Sequence, residues 1–174
     1  QRMYGLSKDL QELKRNYNRD ALTGIGNRRE AERAMDEYRK RMHATGEIFC
    51  IVSMDMDGLK IINDQYGHLQ GDEALCIVAN ILKETVGDKG SASRTGGDEY
   101  LMVLDMNNDE QVRELIATVR QKLADFNENG GKPWKLDISA GYAFCRSGST
   151  IMFTMQQADK NMYQEKRTKK NNRL

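Results

Sequence analysis

With 174 residues the chain suits one domain, or a domain with an appendage, and is long enough to bury a proper core. A hydrophobic share of 39% against 30% charged fits a soluble globular protein, and without a run of about 18 apolar residues no membrane span is expected. A net charge of +1 provides no field to draw a nucleic acid, so neither nucleic acid nor membrane is an expected partner.

The chain opens on Gln1 with no charged-then-apolar leader, which reads as a fragment of something longer with its upstream region missing. In the first segment Met3, Leu6, Leu10, Leu13 and Tyr17 recur at alternating steps of three and four residues. That is the seam of a short coiled coil, and equally the apolar face of a helix docked on its own domain. Residues 1–19 are accordingly set apart as a linker or stalk, and residues 20–174 as the domain proper. Asn27 to about Ala44 predicts a helix ended near Gly46. "EIFCIVSMDMD" predicts a strand whose long apolar run suits a central position covered on both faces. "GLKIINDQYGHLQGDEALCIVANILKETV" is helical with a break near Gly67 and Gly71. "SASRT" and "EYLMVLDM" predict a hairpin around Gly96-Gly97, a pair suited to a two-residue turn with φ > 0 at both positions. A helix follows, with Asn107 or Asn108 as N-cap and Gly130 just past its end. "WKLDISAGYAFC", after Pro133, is a strand and "TMQQADKNMYQEKRTKK" a last helix. This irregular alternation predicts an α+β fold with a mixed or antiparallel sheet. Cys50, Cys76 and Cys145 lack CxxC spacing and sit in apolar surroundings. They read as reduced, buried thiols of a cytoplasmic protein rather than as a metal site.

Two acidic features carry the chemistry. Alternation along the "SMDMD" strand places Ser53, Asp55 and Asp57 on one face and Met54 and Met56 on the other. If that strand lies beside the hairpin, Asp55, Asp98 and Glu99 converge at one sheet end. Converging carboxylates repel one another unless a cation neutralises them, and Mg²⁺ is the natural ion beside substrate phosphates. Read plainly, the same acids merely end a strand and decorate a turn. Lys60 and Asn63 share a face of the helix that begins near Gly58, whose free N–H groups suit phosphate. Taken alone, Lys60 is an exposed helix lysine. Asn63 and Asp72 can both face a small pocket, where a carboxylate would accept from a guanine edge, although Asp72 taken alone is better explained as an N-cap. His68, between them, reads alone as a turn or cap residue.

These blocks resemble the GGDEF domain family, the diguanylate cyclases that make cyclic di-GMP from two GTP. "DALTGIGNRR" is similar to the family's D-x-L-T-x-L-x-N-R-R opening, and "ADKNMYQEK" to its A-D-x-A-M-Y-x-A-K ending. Between them lie "DMDGLKIINDQYGHLQGD", "RTGGDEY", with Tyr100 in place of the usual Phe, and "DISAGYAF". The resemblance implies a nucleotidyl-cyclase-like fold, a central, mostly antiparallel sheet surrounded by helices. It implies that Asp55, Asp98 and the Met56 carbonyl hold Mg²⁺, or Mn²⁺ in its place. It implies that Asp98, or Glu99, helps deprotonate the attacking hydroxyl and that Lys60 stabilises phosphate charge. Asn63, His68 and Asp72 are implied to contact guanosine, and Lys166 and Lys170 the triphosphate. Lys170 stands where the family more often has Arg, which keeps the charge but loses the bidentate fork. Catalysis then needs a homodimer with two facing half-sites, and an upstream sensor in the full-length protein. Gly87, Asp88, Lys89 and Gly90 occupy the place of the family's RxxD product-inhibition motif without its Arg or Asp. The alternative reading is a silent GGDEF domain that binds GTP and regulates a neighbouring module.

Overall fold

The computed structural model describes the backbone of residues 2–172 and the side chains of residues 5–172. The elements run α1 (Arg2–Tyr17), α2 (Arg28–Thr45), β1 (Phe49–Asp57), α3 (Leu59–Tyr66), α4 (His68–Val86), β2 (Gly90–Arg94), β3 (Glu99–Leu104), α5 (Asp109–Asn129), β4 (Asp137–Cys145) and α6 (Ile151–Asn171). The four strands form one sheet in the order β2-β3-β1-β4, and every pairing is antiparallel. The expected α+β fold with a mostly antiparallel sheet is thus observed.

Local chemistry sets the ends of these elements. Asn27, in extended conformation, accepts from the Glu30 N–H to open α2, and Gly46 closes it at φ 74°. Asn108 caps α5 by accepting from the Gln111 N–H, and Thr150 caps α6 by accepting from the Phe153 N–H. The break between α3 and α4 falls at Gly67 alone, at φ 90° and ψ 161°. The expected second break at Gly71 is absent, because Gly71 lies inside α4 and its lack of a side chain serves a neighbour, described below.

The central strand β1 is buried on both faces, as its apolar run requires. Cys50, Val52, Met54 and Met56 pack with the apolar sides of α4 and α5, while Phe49 and Ile51 pack against Ala31, Ala34 and Met35 of α2 and Ala158 of α6. The sheet is therefore the middle layer between two helical layers. Ser53, Asp55 and Asp57 continue the second face, so the polar end of β1 emerges beneath α2 and α6. Cys50 and Cys145 are buried, but Cys76 on α4 is only half-buried, contrary to expectation. Its ring of apolar sequence neighbours faces the core, while its own position on the helix turns it toward the Leu22 carbonyl.

On α1, Leu6, Leu10, Leu13 and Tyr17 are 64%, 54%, 70% and 60% exposed. Of the two readings of this stripe, docking on its own domain is therefore not what is seen. The Met3 side chain lies outside the described residues. No described helix is long and apolar enough to cross a membrane.

Candidate active site

The site is built where β1 ends and the β2–β3 hairpin turns. Register places Asp55 opposite Glu99 on β3 and opposite Ser139 on β4. The loop connecting β2 and β3 is not the expected two-residue turn. Neither Gly96 nor Gly97 has positive φ, and the last ladder bond is Thr95 N–H to Glu99 O at 2.9 Å. Glycine permits a left-handed conformation without requiring one, and here side-chain and cross-strand bonds, two of them from outside the hairpin, decide the shape. Arg94 Nε donates to the Gly97 carbonyl (3.0 Å), Arg28 Nη2 to the Thr95 carbonyl (2.9 Å), and the Met56 N–H to the Asp98 carbonyl (2.9 Å). The glycines are needed unequally. A Cβ on Gly96 would come 2.5 Å from Glu99 Oε2, whereas one on Gly97 would meet nothing within 4 Å.

Arg94 is itself fixed. Its Nη1 donates to both oxygens of Asp20 at 3.1 Å, and Asp20 Oδ2 accepts from the Thr23 N–H (2.9 Å) and hydroxyl (2.7 Å). Below the loop, the buried Tyr100 hydroxyl donates to the Leu75 carbonyl at 2.8 Å, so an aromatic with a hydroxyl fits this position.

Asp55 is the electrostatic centre. It is 6% exposed; its Oδ2 accepts from Lys166 Nζ at 2.9 Å, and its Oδ1 is buried with no hydrogen-bond partner. Burial pushes the Asp55 carboxyl up from the ordinary carboxylate range. Lys166 draws it back only in part, and the charges of Asp98 and Asp57 push the same way as burial. Burial by itself lowers the Lys166 ammonium, but the bond and charge of Asp55, with help from Asp98 and Asp57, leave it raised overall. A buried carboxylate oxygen without a donor, beside further carboxylates, fits a hard divalent cation such as Mg²⁺. Among the described residues, however, no three His, Cys, Asp or Glu side chains are gathered into a ready-made ligand set. Asp55 and Glu99 share a cavity of about 310 Å³ with Ser53, Arg28 and Asp159, while Asp98 is tied to β1 through its carbonyl.

The other expected residues sit on α3, α4 and α6. Lys60 is in the first turn of α3, exposed and paired with Asp64 at 2.6 Å. Asn63 Oδ1 sits where a Gly71 side chain would begin, 1.8 Å from an added Cβ, so the glycine makes room for the amide. This juxtaposition brings Asn63 beside the α4 turn that carries Asp72. Asp72 is exposed in the body of α4 rather than at its N-cap, and the exposed His68 is the first residue of that helix. On α6, Lys166 reaches Asp55, whereas Lys170 is exposed near the C-terminal end.

The sequence reading missed a set of residues on α6. Asn161 Nδ2 donates to the Tyr142 carbonyl (2.9 Å), Glu165 Oε2 accepts from the Ala140 N–H (2.5 Å), and Lys169 donates to Asp57 and Asp137 (3.1 Å each) and also to the Ile138 carbonyl. Four helical residues rise about 6 Å, and two strand residues about 6.6 Å. Side chains four apart on α6 therefore meet backbone groups two apart along the outer edge of β4. Arg120 of α5 adds bonds to Glu165 and to the Ile138 carbonyl. The edge strand is closed by side chains instead of by another strand. The detectable signal was the spacing 161, 165, 169.

A family profile described as "Diguanylate cyclase, GGDEF domain" matches residues 17–172. The chain belongs to the GGDEF family. A diguanylate cyclase of Vibrio cholerae serotype O1 is 30% identical over 158 residues, which cover 88% of this chain and 48% of that protein. Diguanylate cyclase DgcN of Escherichia coli K12 is 32% identical over 149 residues, 84% of this chain and 36% of that protein. The solved structure of diguanylate cyclase SiaD in complex with its activator SiaC, from Pseudomonas aeruginosa, matches with a TM-score of 0.84 at 27% identity, over 96% of this chain and 65% of that one. This GGDEF chain thus spans half or less of the length of these two curated relatives. The GGDEF ending quoted above has Ala where this chain has Asn161 and Glu165, so two bonds of the β4 closure are peculiar to such departures.

Proposed function

We propose that this GGDEF domain is a diguanylate cyclase that condenses two GTP into one cyclic di-GMP and two pyrophosphates. The observation that carries the reading is the buried, partnerless Asp55 Oδ1 beside the loop that presents Asp98. Asp55, Asp98 and the Met56 carbonyl are the groups that would hold Mg²⁺ or Mn²⁺. Bound there, the ion would neutralise phosphate charge and make the attacking hydroxyl more acidic. Asp98 accepts the 3′-hydroxyl proton, with Glu99 beside it. The freed 3′-oxygen attacks the α-phosphorus of the facing nucleotide, and the bond from that phosphorus to pyrophosphate breaks. The same exchange in the other direction closes the ring. Lys60 balances charge developing on the phosphate, Lys166 and Lys170 hold the triphosphate, and Asn63, His68 and Asp72 contact the guanosine, with Asn63 and Asp72 reading its base.

One domain binds one GTP, so the reaction needs a homodimer with facing half-sites. The exposed Leu6–Leu10–Leu13–Tyr17 stripe supplies a stalk for it, under the control of an upstream sensor in the full-length protein. The turn at 87–90 carries neither the Arg nor the Asp of an RxxD motif, and product feedback at that place is not expected.

A second reading is favoured by one observation: Lys60 is turned to Asp64 and Lys166 to Asp55, so both lysines must exchange partners to meet phosphate. A domain in which they did not would bind GTP silently and regulate a neighbour. The deciding experiment incubates the concentrated chain with GTP and Mg²⁺ beside Asp98→Ala and follows products by chromatography. Cyclic di-GMP from the parent and none from the variant is the expected result. GTP binding without product, persisting when a strong coiled coil is fused before Gln1, would establish the silent reading.

A further inference from the structure

The apolar contacts of α6 end well before the helix does. Its buried side chains are Thr154, Ala158 and Met162, and from Tyr163 to Asn171 every residue is exposed or half-buried. Among the described residues, three side chains tie this last stretch to the rest of the chain: Glu165 to the edge of β4, Lys166 to Asp55, and Lys169 to the end of the sheet. A helical segment this short draws little stability from propensity, so these polar anchors set its course.

The three anchors are unequal. Lys166 gives Asp55 one bond, at 2.9 Å, and in the cyclase reading it leaves that partner for phosphate. Lys169 Nζ donates to Asp57 Oδ2 and to both oxygens of Asp137 at 3.1 Å, and also to the Ile138 carbonyl. An ammonium has three donors, and these four oxygens take up all of them. Asp57 is fixed in turn, its two oxygens lying 2.9 and 2.8 Å from the Ser139 hydroxyl that donates to it. Asp57 stands opposite Asp137 in the β1–β4 register, so Lys169 spans the ends of two paired strands. Side-chain exposures of 24% for Lys169 and 12% for Asp57 leave this pair weakly screened by solvent.

We propose that Lys169 is a positioning residue for the triphosphate. It pins the last turn of α6 to the sheet end, so that Lys166 and Lys170, four residues apart on one helix face, keep a common direction when Lys166 lets go of Asp55. This rests on the cyclase reading, in which those two lysines hold the triphosphate. Lys169 itself touches no phosphate, because its donors are taken up by the two aspartates and the carbonyl. Without it, Glu165 would be the last anchor once Lys166 had moved, and the ligand would have to order the segment carrying both lysines at a cost in affinity.

The test compares two ligands in the presence of Mg²⁺, with binding followed by NMR of the isotope-labelled chain. One is a GTP analogue with a methylene bridge between the α and β phosphates, which cannot release pyrophosphate; the other is GMP. Lys169→Met should weaken the analogue by at least about fivefold, the cost of ordering two loosened lysines, and GMP by less than about twofold. Adding Asp57→Asn restores the net charge but not the anchor, so the double variant should bind the analogue as weakly as Lys169→Met. If the methionine variant does not fold, Lys169→Gln is read instead, with the same direction. Unchanged affinity for the analogue overturns the proposal. So does an equal loss for both ligands, which marks a merely structural role, or recovery with Asp57→Asn, which marks a merely electrostatic one. A parent chain that binds the analogue no better than GMP overturns it too, whereas a parent that binds neither ligand refutes the GTP reading itself and this inference with it. The readout is binding rather than turnover, so a silent domain would leave the result intact.

Discussion

Truncating Glu165 to Ala tests whether α6 is held in place by its bonds to the edge of β4. The carboxylate accepts from the Ala140 N–H at 2.5 Å and from Arg120, with side-chain exposures of 28% for Glu165 and 36% for Arg120. A hydrogen bond to a charged group contributes about 1.5–3 kcal/mol, and a pair this accessible to solvent adds about 0–1 kcal/mol. Alanine's better helix propensity returns a few tenths of a kcal/mol. The expected loss is therefore about 2–3 kcal/mol, or about 4–12 °C in Tm for a chain of this size. Glu165→Gln keeps an oxygen for the Ala140 N–H and loses only the charge, so it should cost about 1 kcal/mol. The exposed neighbour Gln164→Ala should stay within about 0.5 kcal/mol of the parent. Urea unfolding followed by circular dichroism measures all three. GTP turnover should fall with Glu165→Ala, because the next residue is the Lys166 that meets Asp55. Equal losses for the Ala and Gln variants, or no loss for Ala, would refute edge closure by this side chain.

Asp55→Asn should abolish cyclic di-GMP formation yet leave the chain as stable as the parent, or more so, near neutral pH. Burial raises the Asp55 carboxyl in the folded state, so its proton is held more tightly there, native stability falls as pH rises through the shifted value, and the variant's gain should vanish below about pH 4; thermal melts across pH that show the variant weaker at neutrality would contradict this. Gly97→Ala should be tolerated, with open space at its Cβ, whereas Gly96→Ala should displace the Glu99 carboxylate and slow turnover with little change in Tm; equal kinetics for both would remove the argument from close approach. Leu6→Glu with Leu13→Glu should lower specific activity at low protein concentration and not at high, as read by a dilution series, and indifference to dilution would dispose of the stalk.

What the sequence disclosed was whatever depends on period or on a neighbour a few residues away. Alternation along β1 assigned Asp55 and Asp57 to one face before any partner strand was known, and the structure places them there. Gly46 and Asn108 act within one turn of their own helices, so the end of α2 was readable and the cap of α5 was narrowed to Asn107 or Asn108. The misses share a physical cause. The hairpin loop is shaped by Arg28 and Met56, distant in sequence from Thr95 and Asp98, and no local rule about Gly-Gly includes them. Gly71 was read as a helix break because its service, space for Asn63, is rendered to another helix. Asn161, Glu165 and Lys169 acquire meaning only once α6 lies along β4 in a particular register.

The same non-local bonds explain why the opening motif stands so far in sequence from the acids. Gly26 donates to the Ala92 carbonyl and accepts from the Arg94 N–H at 2.8 Å, so the connection between α1 and α2 is bonded to β2 like a short added strand. A Cβ at Gly26 would come 2.4 Å from Ser93 Oγ, which is why the contact needs a residue without one. From this connection Asp20 grips Arg94 and Arg28 reaches Thr95, and those two arginines hold the carbonyls on either side of Gly96. The Asp20–Arg94 pair is only 17% exposed on each side, so solvent screens it weakly. A displacement of α1 therefore either breaks this set of bonds together or carries the hairpin loop, with Asp98 and Glu99, along with it. In the proposed cyclase the acids would need an approach accurate to a fraction of an ångström, and the start of the domain, as one wall of the loop that presents them, would secure it.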